Sequence, residues 1–315
     1  MKRTARVAAL IALLLSAMSS AATAMADPDP APATRGSLPA GILADLLNPG
    51  SAPPGANNWD CKPSASHPRP VILLHGFFAN MTDSWTTVSP LLARKGYCVF
   101  ALTYGKHPVD PTGTRGGLDY IENSSKELKA FTRRVLEATD SSKVDLVGWS
   151  EGGWLARQYI QLDGGDEAVK NVVGLAPANG PTNISQILFK LAGVHPLIEQ
   201  VRASGGSAVE VAIPLAAQAI DPHVFAELNQ GGGTSPQVHY THIASRYDEL
   251  VPPSSAFVPT GEHVKNIVLQ RGCAIDFTDH LSIITAPRTM QFMLNALDPS
   301  TAKRAPCLLS LPLLG

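Results

Sequence analysis

Six short apolar runs punctuate the chain, and each has the density expected of a strand buried on both faces. They are PVILLHG at 70–76, YCVFALTYG at 97–105, VDLVGWS at 144–150, VKNVVGLAP at 169–177, HYTHIASRYDEL at 239–250 and VKNIVLQ at 264–270. Stretches with helical spacing lie between them. Ile121, Leu128, Phe131, Val135 and Leu136 recur at that period in 118–139; Trp154, Leu155, Tyr159 and Ile160 do so in 153–161; PRTMQFMLNALDP at 287–299 reads the same way. Strands alternating with helices predict an α/β fold on a mostly parallel, doubly wound sheet. One section breaks the rhythm. Residues 178–237 carry ISQILFKLAGV, HPLIEQV and VEVAIPLAAQAI, with no strand pattern, and leave through GGGTSPQ. So long a connection predicts a helical lid or cap insertion, ordinary packing helices being the plainer alternative. Residues 27–58 are rich in Pro, Ala and Gly and read as an extended arm with a short helix at 41–47, ahead of a body spanning 59–315.

The first 26 residues change the picture of charge and compartment. Lys2, Arg3 and Arg6 precede the apolar run 8–18, and Ala24-Met25-Ala26 stands before Asp27. This is the pattern of a secretory signal peptide, and the apolar run is short for a membrane span. Cleavage there would remove those three cations and no acidic residue, moving the formal charge from −1 to −4. A mildly acidic surface offers no footprint for nucleic acid. Four cysteines remain, and an even number in an exported chain suggests two disulfides. The pairings local in sequence are Cys61–Cys98 and Cys273–Cys307. A zinc site is the weaker alternative, because no C-x-x-C pair occurs.

Candidate chemistry centres on VDLVGWSEGG. Ser150 lies two residues from Gly148 and from Gly152, between a strand pattern and a helix pattern. In a sharp strand-to-helix turn the backbones come so close that a Cβ at either position would clash, so the glycines let the serine project its hydroxyl. A serine hydroxyl needs a base to take its proton and a carboxylate to orient that base, in the chain order Ser, Asp/Glu, His. Asp248 falls in the turn after the fifth run, and His280 lies in FTDHLSIIT before Pro287; Asp276 and Asp279 are alternative acids. Two backbone N–H groups should face the developing negative charge: that of Glu151, after the serine, and that of Phe77, after His75-Gly76. Phe78 and Trp149 are expected to wall the substrate site. His75 reads as structural, and no cofactor or metal is called for.

The ordered segments HGFFAN, GWSEGG, LAPANGPT, RYDELVPP and CAIDFTDH, together with the cysteines in WDCKP and GYCVF, resemble the secreted bacterial class 2 lipases of the actinobacterial type, within the α/β-hydrolase superfamily. The similarity runs from about Trp59 to Pro306. It implies Ser150, Asp248 and His280 as a catalytic triad, Phe77 and Glu151 as oxyanion donors, and cofactor-free hydrolysis of carboxylic esters, acylglycerols in particular. The expected partners are an ester or lipid substrate and a transient lipid interface, with the protein a monomer. These lipases often carry Gln or Met after the serine. Glu151 departs from that, and it is expected to tilt the pH profile or to pair with Arg157. An acyltransferase on the same scaffold and a non-catalytic binding protein are the competing readings.

Overall fold

The computed structural model describes residues 38–108, 110, 112–183 and 224–313. The expected signal peptide and most of the expected lid lie outside the described residues. Among the described residues, six strands form one parallel sheet in the order β2-β1-β3-β4-β5-β6. They are β1 Val71–Leu74, β2 Val99–Leu102, β3 Val144–Trp149, β4 Val169–Leu175, β5 His239–Ala244 and β6 Val264–Val268. Each coincides with one apolar run. Alternating side chains explain why such runs are continuous: Ile72 and Leu74 enter the core on one face, Val71 and Leu73 the core on the other.

The longer helices among the described residues are α1 Leu38–Leu47, α2 Ile121–Thr139, α3 Glu151–Leu162 and α4 Pro287–Leu297, of which α2, α3 and α4 pack on the sheet. Leu128 and Val135 of α2 and Leu155, Tyr159 and Ile160 of α3 pack with Ile72, Leu74 and Leu146. On the opposite face, Met290, Met293 and Leu297 of α4 join Leu91 and Leu92 of the short helix Val88–Arg94 against Val71, Leu73 and Val147. α2 ends where Asp140 turns left-handed, at φ 53°, which stops further helical hydrogen bonding. Pro287 opens α4, where its missing N–H costs no bond.

Within the N-terminal arm the described residues include a helix where one was expected. α1 starts three residues before the expected helix, and its Asp45 is buried. Asp45 accepts from Arg115 Nη2 at 2.9 Å and from Asn80 Nδ2 at 2.9 Å, and Arg115 also pairs with Asp83. Two carboxylates around one guanidinium anchor the helix at a point that composition does not reveal. Cys61 is bonded to Cys98, beside β2, and Cys273 to Cys307. The tail after Cys307 is rich in leucine. Its backbone does dock, with Phe277 N–H donating to Ser310 O at 3.0 Å, but Leu308, Leu309, Leu311 and Leu313 remain exposed.

Candidate active site

Ser150 sits at the C-terminal end of β3 with φ 54° and ψ −119°, a left-handed conformation that L-residues rarely hold. The surrounding glycines make it feasible. A Cβ on Gly148 would lie 2.4 Å from the Gly152 carbonyl oxygen, and one on Gly152 would lie 2.1 Å from the Leu74 carbonyl oxygen. The strand-to-helix turn is thus wedged against the end of β1, and α3 begins at Glu151.

Asp248 and His280 arrive from loops after β5 and β6. His280 Nε2 is 3.0 Å from Ser150 Oγ, and His280 Nδ1 is 2.7 Å from Asp248 Oδ2. Asp248 and His280 are both buried. The other oxygen of Asp248 accepts from the N–H groups of Leu250 at 2.9 Å and Val251 at 2.7 Å, which fixes the carboxylate plane. A carboxylate at Nδ1 requires a proton there, leaving Nε2 free to accept from the serine hydroxyl. Neither alternative acid is bonded to His280, whose Nδ1 faces Asp248. Asp276 Oδ1 accepts from Thr278 N–H, and Asp279 Oδ1 from the N–H and hydroxyl of Ser282.

Several residues that position these loops carry no sequence signal of their own. Ser245 donates to the Thr278 carbonyl, and Gln270 Nε2 donates to Ser245 Oγ at 2.9 Å and to Asp276 O at 3.1 Å. The Asp248 loop and the His280 loop are thereby stitched together. Trp149 was expected at the substrate wall. It is almost wholly buried, packs with Val147 and Leu175, and its Nε1 donates to the His280 carbonyl at 3.0 Å. Phe78 is 56% exposed at φ 56°, beside the ring of Phe77. His75 is fully buried, stacked on Tyr104, with Nδ1 2.8 Å from the Gly76 carbonyl. Burial lowers it to about 4, so it is neutral at pH 7.

Glu151 corrects one expectation. It does not pair with Arg157. Six residues along a helix turn through 600°, which puts the two on different sides of α3. Arg157 is buried and donates instead to the carbonyls of Gly233 (2.9 Å) and Asn179 (3.1 Å) and to Asn229 Oδ1 (2.8 Å). The Glu151 carboxyl folds inward, and its Oε1 is buried with no hydrogen-bond partner among the described residues. A Cβ on Gly117 would stand 2.9 Å from that oxygen and 3.0 Å from the Phe77 Cα, so the carboxyl lies behind the turn that carries Phe77. Burial pushes Glu151 up to about 8, the neighbouring Tyr104 hydroxyl acting in the opposite sense. A position in the first turn of a helix favours a negative charge by only about 0.3–1 kcal/mol. Desolvation is the larger effect here.

Residues 69–204 match the family model described as the alpha/beta hydrolase fold. Two triacylglycerol lipases, from Pseudarthrobacter phenanthrenivorans and Burkholderia plantarii, are each 32% identical over 96 residues. That segment is 29% of this chain and spans only 27% and 24% of the length of those relatives. Among solved structures, Aspergillus fumigatus lipase B is similar with a TM-score of 0.59 at 17% identity, over 84% of this chain and 61% of that one. Bacillus licheniformis lipase BlEst2 in its mature form is similar with a TM-score of 0.52 at 14% identity, over 79% and 96%. The parallel sheet, the serine turn between β3 and α3 and the matched segment agree: this chain has the α/β-hydrolase fold.

Proposed function

We propose that the protein is an exported serine carboxylic-ester hydrolase of the lipase or esterase kind, working through an acyl-enzyme. The observation that carries this reading is the unbroken chain from Ser150 Oγ to His280 Nε2 and from His280 Nδ1 to Asp248 Oδ2, at 3.0 and 2.7 Å. Ser150 Oγ attacks the ester carbonyl carbon while its proton passes to His280 Nε2. The imidazolium that forms is stabilised by Asp248. The carbonyl oxygen becomes an oxyanion and is met by the N–H groups of Glu151 and Phe77. Each such donor lowers the barrier by about 3–4 kcal/mol in related chemistry. Collapse of this intermediate breaks the bond to the alkoxy oxygen, which leaves with the proton from His280. Water then repeats the sequence on the acyl-serine, releasing the acid and restoring Ser150.

Export is supported by the two disulfides, which persist in oxidising compartments, and by the N-terminal sequence pattern. No described helix is long and apolar enough to cross a membrane. The test is hydrolysis of p-nitrophenyl esters with acyl chains from C2 to C16, comparing the wild-type protein with Ser150→Ala. Activity lost in the variant supports the reading, and its dependence on chain length separates lipase from esterase. Hydrolysis that survives in Ser150→Ala, or is absent from the wild type at every length, overturns it.

A further inference from the structure

The residue after the serine carries an acidic side chain that the reaction outlined above does not use. Its placement is unusual. The backbone N–H of Glu151 is proposed to face the oxyanion, while its carboxyl turns back into the protein behind the other donor, Phe77. Oε1 is buried and unpartnered among the described residues, and Gly117, at φ 64°, is the residue whose missing side chain leaves room for it. Gly117 is itself fixed, its N–H donating to the Tyr104 carbonyl at 2.9 Å. Oε1 therefore lies out of solvent between the Gly76–Phe77 turn and the 116–117 backbone, while Glu151 as a whole is half-buried.

The charged groups around it do not compensate a carboxylate. From the end of β1, His75 is neutral. From the segment after β2, the buried Tyr104 hydroxyl donates to the His75 carbonyl at 2.7 Å; it also favours a charged Glu151, but by less than burial opposes it. From α2, Glu127 is a second acid, directed to Gly105 N–H. From the loop before Gly117, Arg115 is committed to Asp45 and Asp83. From the remaining loop, His280 is paired with Asp248. Among the described residues no cation pairs with Glu151.

We propose that Glu151 is a positioning residue that works only uncharged: its neutral carboxyl braces the Phe77 turn, and its ionisation sets the alkaline limit of the reaction. The inference rests on the ester-hydrolase reading. An ionised Glu151 would put negative charge beside the spot where the oxyanion develops, in surroundings that screen it less than bulk water does. It would also draw water into the space behind Phe77.

Two measurements on the wild type and Glu151→Gln test this. The first is kcat/KM against pH on a soluble ester, read within each protein as the ratio of activity at pH 9 to that at pH 7. With ionisation centred at about 8, the wild type should lose about tenfold over that interval, in kcat more than in KM. Glu151→Gln should show little such loss. The second is thermal unfolding against pH, which needs no activity. A carboxyl raised in the folded state contributes stability that is complete below its unfolded value of 4.5 and is lost as pH rises toward 8. Glu151→Gln escapes that loss, so its Tm should gain on the wild type by several degrees between pH 5 and 8. Equal alkaline limbs in two active proteins, or parallel Tm curves, overturn the proposal while leaving the ester-hydrolase reading intact. A wild type without Ser150-dependent hydrolysis overturns both. If Glu151→Gln fails to fold, the carboxyl-carbon NMR signals of glutamate-labelled wild type decide. One signal titrating near pH 8 is expected, and none titrating above pH 6 overturns the idea.

Discussion

The indole nitrogen of Trp149 donates to the carbonyl oxygen of His280 at 3.0 Å, so the residue before the serine holds the backbone of the proposed base. Serine and histidine come from sequence positions 130 residues apart. This bond joins the β3 turn directly to the His280 loop. Trp149→Phe keeps most of the ring bulk and removes only the donor. It should lower kcat about three- to tenfold with little change in KM, in line with one buried hydrogen bond worth about 1 kcal/mol. Steady-state kinetics on a soluble ester would check this. A change confined to KM would mean that the ring serves substrate binding instead.

Gly152 permits the closest approach in the site. Its added Cβ would meet the Leu74 and His75 carbonyl oxygens at 2.1 and 2.7 Å, both backbone atoms that cannot swing away. Gly152→Ala should therefore destabilise the fold by more than about 2 kcal/mol and abolish activity with it. Gly164→Ala is a suitable comparison, since nothing lies within 4 Å of its added Cβ. It too has a left-handed backbone, at φ 77°, so its loss should reflect backbone strain alone, about 1–2 kcal/mol. Chemical denaturation of the two variants would separate contact from strain.

Acid should destabilise the protein through two histidines. Burial lowers His75 to about 4 and His242 to about 3, Arg157 adding to the effect on His242. Above pH 6.5 both are neutral in either state. As pH falls below 6.5 the unfolded chain takes up protons that the folded one refuses, so stability is lost toward pH 4. Each refused proton costs about 1.4 kcal/mol per pH unit. His242→Gln should remove one of these slopes, visible as a flatter Tm curve between pH 6.5 and 4. The raised carboxyls of Asp145, at about 6, and Glu151 act in the opposite direction. The comparison is therefore between variant and wild type rather than on the absolute curve.

The bond between Cys273 and Cys307 closes a separation of 34 residues that contains His280 and α4. Replacing both cysteines by serine should lower stability by about 2–4 kcal/mol. It should also free the tail from Phe277 and from Asp279, which accepts from Leu313 N–H at 3.3 Å. Faster proteolysis after Arg304, followed by mass spectrometry, would report that release. An unchanged cleavage rate would assign the tail's order to Arg288, whose guanidinium holds the carbonyls of Ala305 and Pro306.

Strand content was legible because each buried strand leaves a continuous apolar run, and the serine turn because glycines at 148 and 152 answer a steric demand. Asp248 and His280 could be chosen by chain order and by their places after strand patterns. What was not legible came from contacts between distant loops. The clamp of Ser245 on Thr278 and the burial of Glu151 behind Gly117 involve residues without periodicity, so no local pattern announces them. The bond from Trp149 to the His280 carbonyl was hidden as well, because sequence cannot say which way an indole N–H points. The anchoring of α1 depends on Arg115, 70 residues away from Asp45, and Pro/Ala/Gly composition conceals it.

The order of the sheet also fixes when chemistry can begin. β1 pairs on its two sides with β2 and β3, so the first half of the chain can close a three-stranded half of the sheet that already carries Ser150. Asp248 and His280 are supplied only after β5 and β6 have docked in turn beyond β4. Parallel pairings of this kind require long loop closures and form slowly. During refolding, secondary structure should return ahead of ester hydrolysis, and the interval between them is the time the second half of the sheet takes to dock. A newly made chain thus carries its nucleophile for some time before it has a base to use it.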